Sequence, residues 1–418
     1  MKETKFKDTE IGRIPEEWEE FPLSSLVTDI ADGPFGSNLK TEHYISKKQV
    51  RVVQLSNIGD DGWHDANTKY TSFAHASTLS RCIIPTGSVL IAKMMPAGRA
   101  IICPNIDNSY ILGSDVVRIT CNTKLEPKYF VYSTKSKLYL EQISECTQGS
   151  TRQRTSISKL KNIQIVVPPF QEQCRIASAL TSIDNLISSL GKLIEKKKNI
   201  KQGTMQQLLT GKTRLKGFSE PWVKRKLGDN ATIQRGGSPR PIEAYLTTNR
   251  DGINWIKIGD VRPNDKFIRH TVEKIIPEGI SHSRQVYKGD FILSNSMSFG
   301  RPYILDIDGC IHDGWLVIKD YSNTYDMDFL YYILSSDTVF EQYIAMAAGS
   351  SVKNLNKEKV ANVMLFAPQS LAEQQAIAAI LTKMDDEITA LEATKTKYEA
   401  IKQGMMQQLL TGKIRLIS

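Results

Sequence analysis

Ile200 to Leu215 reads IKQGTMQQLLTGKTRL, and Ile401 to Leu416 reads IKQGMMQQLLTGKIRL. The two stretches align without a gap and differ only where Thr204 matches Met405 and Thr213 matches Ile414. Such agreement marks a duplication, and internal repeats decide the architecture before any local reading does. The interval is about half the chain, far beyond the roughly 20 to 50 residues of a solenoid repeat. The chain is therefore two similar halves, each closed by the same element.

Upstream of the first copy, Gln171 to about Thr210 reads as one long helix. Its apolar residues fall at Ile176, Leu180, Ile183, Ile187, Leu190 and Ile194, alternating steps of four and three, which is a heptad seam. About forty helical residues span roughly 60 Å. Gly191 and Gly203 weaken the helix locally. Gly211 is placed as its C-terminal cap, with Lys212 and Arg214 favourable at the negative helix end. The second long helix starts near Ala372, and its seam is Ile377, Leu381, Met384, Ile388 and Leu391, then Tyr398 and Ile401. Helices of matched length and seam can pack as an antiparallel coiled coil.

The stretches between the helices read differently. Val50 to Leu55, Ser88 to Ala92 and Asn162 to Val167 are short β-type runs bounded by turn residues, and Tyr129 to Ile143 is richer in helix formers. In the second half Trp222 answers Trp18, Gly236-Gly237-Ser238-Pro239 answers the turn at Gly33, and Gly289, Gly300 and Arg301 answer Gly87, Gly98 and Arg99. Trp255 to Gly259 is set against Gln54 to Gly59, and Gly349-Ser350 against Gly149-Ser150. The expected fold is α+β, with two globular units of mixed strands and helices separated by two long helices, in a pseudo-twofold internal repeat. The divisions are 1–170 and 216–370 for the globular units, and 171–215 and 371–418 for the helices. The helices are near copies while the globular units share only a skeleton, so the units are where the halves differ.

Composition narrows the function. A formal charge of +9 and a pI near 9.0 suit a polyanionic partner. The six cysteines form no CxxC pair and no histidine cluster completes a metal site, so reduced, mostly buried thiols are expected. The N-terminal segment is charged and resembles no signal peptide, and no run of about 18 apolar residues exists to cross a membrane. A cytoplasmic protein is expected.

Catalytic signatures fail one by one. Gly211-Lys212-Thr213 resembles the end of a phosphate-binding loop, but Gln206 stands where that loop needs glycine, and the segment closes a helix instead of opening one. Val167-Pro168-Pro169-Phe170 resembles the Pro-Pro-aromatic motif of adenine methyltransferases, but Val167 cannot accept a hydrogen bond from a target amino group. Lys357-Glu358-Lys359 sets a glutamate among lysines, as metal-dependent nucleases do, but no second carboxylate stands at suitable spacing and solvated helix charge is the better reading; His312-Asp313 has no nucleophile nearby in sequence. No catalytic and no metal-ligating residue is assigned.

Basic and amide residues in the turns are the binding candidates. They are Asn38, Lys40, Asn57, Lys93, Arg99, Arg152, Gln153 and Arg154 in the first half. Arg235, Arg240, Lys257, Asn295, Arg301, Lys353 and Asn354 are the candidates in the second. Arginine and lysine pair with guanine edges or phosphates, and asparagine and glutamine pair bidentately with adenine.

Taken together, the Ile-Pro-x-x-Trp opening, the Gly-Ser turns, Pro168 before Glu172-Gln173, Pro368 before Glu373-Gln374, and the repeated KQG-x-MQQLLTGK-x-RL ending resemble one family over essentially the whole chain. That family is the DNA specificity subunits of type I restriction-modification systems. The resemblance implies two target recognition domains, each reading one half of a bipartite, asymmetric site in double-stranded DNA, with the coiled coil setting the gap. It implies a non-catalytic chain that binds no cofactor. Its partners would be two methyltransferase subunits, which bring S-adenosylmethionine, and two restriction subunits, which use ATP and magnesium. Two rival readings remain at this stage: a tandem-domain methyltransferase or nuclease, and a coiled-coil scaffold that binds protein.

Overall fold

The structure is a computed structural model and describes residues 4–34, 36, 38–94, 96–147, 154–262, 265–295, 299–347 and 355–417. The chain divides into two compact units, one of Met1–Leu190 with Thr394–Ser418, the other of Gly191–Ala393.

In the first unit, Val27–Asp32, Val116–Cys121, Val89–Ala92 and Ala100–Ile102 hydrogen-bond in that order as an antiparallel sheet. A second sheet runs Tyr44–Ile45, Tyr70–Thr71, Val50–Val53, Tyr110–Leu112 and Ile83–Ile84, with Tyr110–Leu112 parallel to Val50–Val53. Val89, Ile91, Val117 and Ile119 point into a core shared with the helices, while Leu90, Ala92 and Val116 point into a second core with Val50, Val52 and Val53. The period-two alternation of a strand thus serves two cores at once.

The second unit repeats the plan. Thr232–Arg235, Trp315–Lys319, Phe291–Ser294 and Pro302–Leu305 follow the same order, with Phe267–Ile268 added at the edge. Gly309–Ile311 is parallel to Ile253–Ile256, as in the first unit. Structure also fixes the register between halves. The amide of Gly113 bonds the Val53 carbonyl and that of His312 bonds the Ile256 carbonyl, so Asp260, not Lys257, is the counterpart of Asn57. The expected placing of Trp255–Gly259 against Gln54–Gly59 is corrected by this shift.

The long helices span Phe170–Leu208 and Leu371–Leu409; the first lies within two residues of the expected Gln171 to about Thr210, and the second starts one residue before Ala372. Ile176, Leu180, Ile183 and Ile194 are buried on the first, and Ile377, Leu381 and Ile388 on the second. Ile187, Leu190, Met384, Leu391 and Tyr398 are half-buried. Ile401 is 40% exposed, so the seam ends before it. The segment Tyr129 to Ile143, rich in helix formers, falls in two helices, Pro127–Ser133 and Lys137–Cys146, because Ser136 caps a new helix by accepting from the Tyr139 amide.

Within each unit the helix segments run antiparallel, and the repeated ending closes a clasp. In the first unit Met406, Leu409 and Leu410 join the core with Ile176 and Leu180. Arg415 donates through Nε and Nη2 to Glu172, at 2.8 and 2.7 Å, and Trp18 Nε1 donates to the same carboxylate at 3.1 Å. In the second unit Arg214 and Trp222 hold Glu373 at 2.8, 2.9 and 3.2 Å. Both carboxylates are nearly inaccessible, at 2% and 1%, so a buried charge is retained because a bidentate guanidinium answers it. The neighbouring glutamines act on the backbone. Gln173 accepts from the Glu126 amide and donates to the carbonyls of Lys124 and Pro168, and Gln374 does the same with Asp326, Thr324 and Pro368. Gly211, the cap expected after the first helix, has a left-handed φ of +70°, and Gly412 makes the same turn after the second at +67°.

A tyrosine ties the helix Pro127–Ser133, and the helix Met327–Leu334 in the second unit, to the long helices. Tyr132 donates to Asp184 at 2.7 Å, and Lys402 pairs with that carboxylate at 2.6 Å. Tyr332 donates to Asp385 at 2.7 Å, and Lys201 pairs with it. Burial, with the carboxylate alongside, pushes both phenols well above the usual tyrosine range.

Candidate nucleic-acid interface

The same loop cluster is built twice by the same backbone bonds. In the first unit the amides of Gly33, Lys93 and Thr155 bond the carbonyls of Val116, Asp115 and Lys93. In the second, the amides of Gly236, Asn295 and Leu355 bond the carbonyls of Trp315, Gly314 and Asn295. A Cβ on Gly33 would lie 1.7 Å from the Gly113 carbonyl oxygen, and one on Gly236 would lie 2.2 Å from that of His312, so only glycine lets these strands meet. Lys93 and Asn295 therefore occupy one position, and Asp32 and Arg235 occupy another.

The charges on this shared frame differ. In the first unit Lys93 is buried, and its ammonium donates to both oxygens of Asp32 at 2.8 Å. Arg154 pairs with Asp115 at 2.7 Å and Arg99 approaches Asp60 at 3.6 Å. In the second unit Asp313 is the centre. Ser238 donates to it at 2.9 Å, and the His312 ring lies 3.0 Å away. Gly314 donates to His312 Nδ1, so the neutral ring carries its proton on Nε2, the nitrogen that lies near Asp313. Arg240 and Arg235 approach the same carboxylate at 3.7 and 4.0 Å. Asn295 donates to the Asp313 carbonyl at 2.9 Å.

The remaining candidates scatter more. Asn38 and Lys40 are exposed, the Asn38 carbonyl accepting from His75 Nε2 and Lys40 lying 3.8 Å from Glu42. Asn57 is fully buried, its amide group closing the loop by donating to His64 and Ala66 and accepting from Gln54. Lys257 pairs with Glu273. Arg301 is exposed. Arg152, Gln153, Lys353 and Asn354 lie outside the described residues, as do both Gly-Ser turns.

Sequence reasoning missed the acids of this frame: Asp32, Asp115 and Asp313. Searching for basic residues passes over the carboxylates that aim them. It missed Glu172, Glu373, Arg214 and Arg415 as a clasp, although their recurrence in both halves was the available signal. Among the described residues no three His, Cys, Asp or Glu side chains group to hold a metal ion, and no helix is long and apolar enough to cross a membrane.

A sheet-based unit built twice, joined to paired long helices whose repeats are nearly identical, defines a class of tandem recognition proteins. The type I restriction modification DNA specificity domain matches residues 15–202 and again 219–403, and the chain belongs to that family. It is 26% identical to the MjaX type I restriction enzyme specificity subunit of Methanocaldococcus jannaschii, over 99% of this chain and 98% of the relative. It is 25% identical to the MjaVIII specificity subunit of the same organism, over 99% and 97%. The solved S subunit of a type I restriction-modification system from M. genitalium shares the fold, with a TM-score of 0.60 and 17% identity, over 94% of this chain and 96% of that one.

Proposed function

We propose that this chain reads a bipartite, asymmetric site in double-stranded DNA for a type I restriction-modification complex and performs no catalysis itself. Residues 1–170 and 216–370 each take one half-site. Residues 171–215 and 371–418 set the gap and dock two methyltransferase subunits on near-identical surfaces. S-adenosylmethionine belongs to those subunits, and ATP and magnesium to two restriction subunits. Two modest DNA modules joined in one chain gain affinity through effective concentration.

The observation that carries this reading is the loop frame itself, one backbone arrangement made twice with Asp32 and Lys93 in one copy and Arg235 and Asn295 in the other. A shared frame with different charges is what reading two unlike half-sites requires. The relatives' description as specificity subunits supports it. The test is selection from a randomised duplex pool by the chain assembled with its methyltransferase partner. Two unlike blocks with a fixed unspecified gap are expected. One contiguous motif would mean that a single unit reads DNA, and no enrichment would favour a protein-binding scaffold.

A further inference from the structure

The Asp313 cluster supports a more specific assignment, which rests on the DNA-reading function above. We propose that Arg240 and Arg235 read guanine in the half-site of the second unit, and that Asp313 is the positioning residue that aims them.

Three observations converge. First, the guanidinium Nη groups are available, Arg235 donating through Nε to the Asp313 carbonyl at 3.3 Å. The side chains of Arg240 and Arg235 are 82% and 60% exposed, and their approaches to the Asp313 carboxylate, at 3.7 and 4.0 Å, are ion pairs too long to be hydrogen bonds. Their outer N–H edges remain unspent toward that carboxylate. Second, Asp313 is itself fixed. Ser238 donates to its side chain, while Asn295 and Arg235 Nε donate to its carbonyl. Third, the carboxylate selects the kind of acceptor. A negative charge this close repels a phosphate oxygen, which would make Asp313 a liability in a backbone-binding site. It does not oppose the neutral O6 and N7 acceptors of guanine, which a planar guanidinium meets bidentately.

Comparison with the first unit sharpens the assignment. The strand position of Arg235 there holds Asp32, whose two oxygens are both taken by Lys93. The same backbone position therefore presents a donor fork in one unit and a neutralised pair in the other. The two units are built to prefer different bases at this place.

The test compares the wild-type complex with complexes carrying Arg240→Gln, Asp313→Asn or Asp313→Glu, each selected against the randomised duplex pool. Melting temperatures serve as a folding control. The wild-type motif should contain a G·C pair in one block. Arg240→Gln should lower discrimination at that pair by about tenfold to a hundredfold and leave the other block unchanged. Asp313→Asn should relax the same pair, and Asp313→Glu should restore part of the preference. The salt dependence of binding should hold, since no phosphate contact is removed. Uniform weakening across the pool with a shallower salt slope, a change in both blocks, or an unaltered motif would overturn the assignment while leaving the two-reader function standing. Absence of any motif from the wild-type complex would overturn both. Arg240 is so exposed that its substitution keeps the test sound even if the Asp313 variants fail to fold.

Discussion

Arg415 closes on Glu172, 243 residues earlier in the chain, through two parallel hydrogen bonds of 2.8 and 2.7 Å, and Trp18 donates to the same buried carboxylate. The guanidinium also lies 5.5 Å from the centre of the Trp18 ring. Trp18 and Arg415, far apart in sequence, are thereby locked onto one buried carboxylate. Arg214, Glu373 and Trp222 make the same arrangement in the second unit.

Removing the arginine leaves a carboxylate buried without its counter-ion. Arg415→Ala should destabilise the first unit by about 3 to 5 kcal/mol, the usual cost of breaking one side of a buried pair. Chemical denaturation read by the intrinsic tryptophan signal measures it. Arg415→Lys should recover little, because an ammonium cannot reproduce the two parallel bonds. A loss below about 0.5 kcal/mol would show that the clasp is ornamental.

Glycines in the repeat should divide by environment. A Cβ on Gly203 or Gly404 meets nothing within 4 Å, and both lie inside exposed helix. Gly203→Ala and Gly404→Ala should each stabilise by about 1 kcal/mol. Gly412 has φ of +67°, and a Cβ there would lie 2.2 Å from Pro15 Cγ, so Gly412→Ala should destabilise. Gly211→Ala should cost less, because the nearest contact, on Trp222, is 3.4 Å. Thermal melts of the four variants decide the order.

Lys93 should matter to the fold more than to phosphate binding. Lys93→Met removes both donors to Asp32 and should cost about 2 kcal/mol in the first unit, the scale of a hydrogen bond to a charged group. The salt slope of DNA binding should stay unchanged. Combined with Asp32→Asn the loss should be smaller than the sum, since the two act as one pair. An additive result would remove the pair from the account.

The thiols carry a pH dependence of known sign. Burial pushes Cys103 up to about 12. Its folded form holds the proton more tightly than the unfolded chain, so this contribution is full below pH 9. It falls as pH rises from 9 toward 12, where only the unfolded chain ionises. Iodoacetamide at pH 8 should therefore leave Cys103 unmodified in the folded protein and label it once the chain is unfolded, as peptide mass mapping would show. Labelling at equal rates in both states would contradict the burial.

The architecture was legible because duplication writes itself in identity. Fourteen identities in sixteen aligned positions located both helix ends, the heptad spacing of Ile176 to Ile194 located the buried face, and Gly211 located the cap. These are local properties, set by periodicity and backbone conformation. Asn57 and Lys93 show the limit. In sequence they are polar loop residues like Asn38 and Lys40, yet they are buried, because burial depends on which distant groups receive their hydrogen bonds.

Sequence alone determined that this is a duplicated chain of two divergent units and two conserved helices, with a basic surface and the motifs of a DNA specificity family. Only the tertiary structure decided which residues share a place. It brought Arg415 to Glu172, set Asp260 opposite Asn57 in the comparison of units, and gathered Arg235, Arg240 and His312 around Asp313. The physical reason is that periodicity and turn chemistry act over a few residues, whereas charge pairing in a core or a loop cluster is chosen by the folded path of the whole unit.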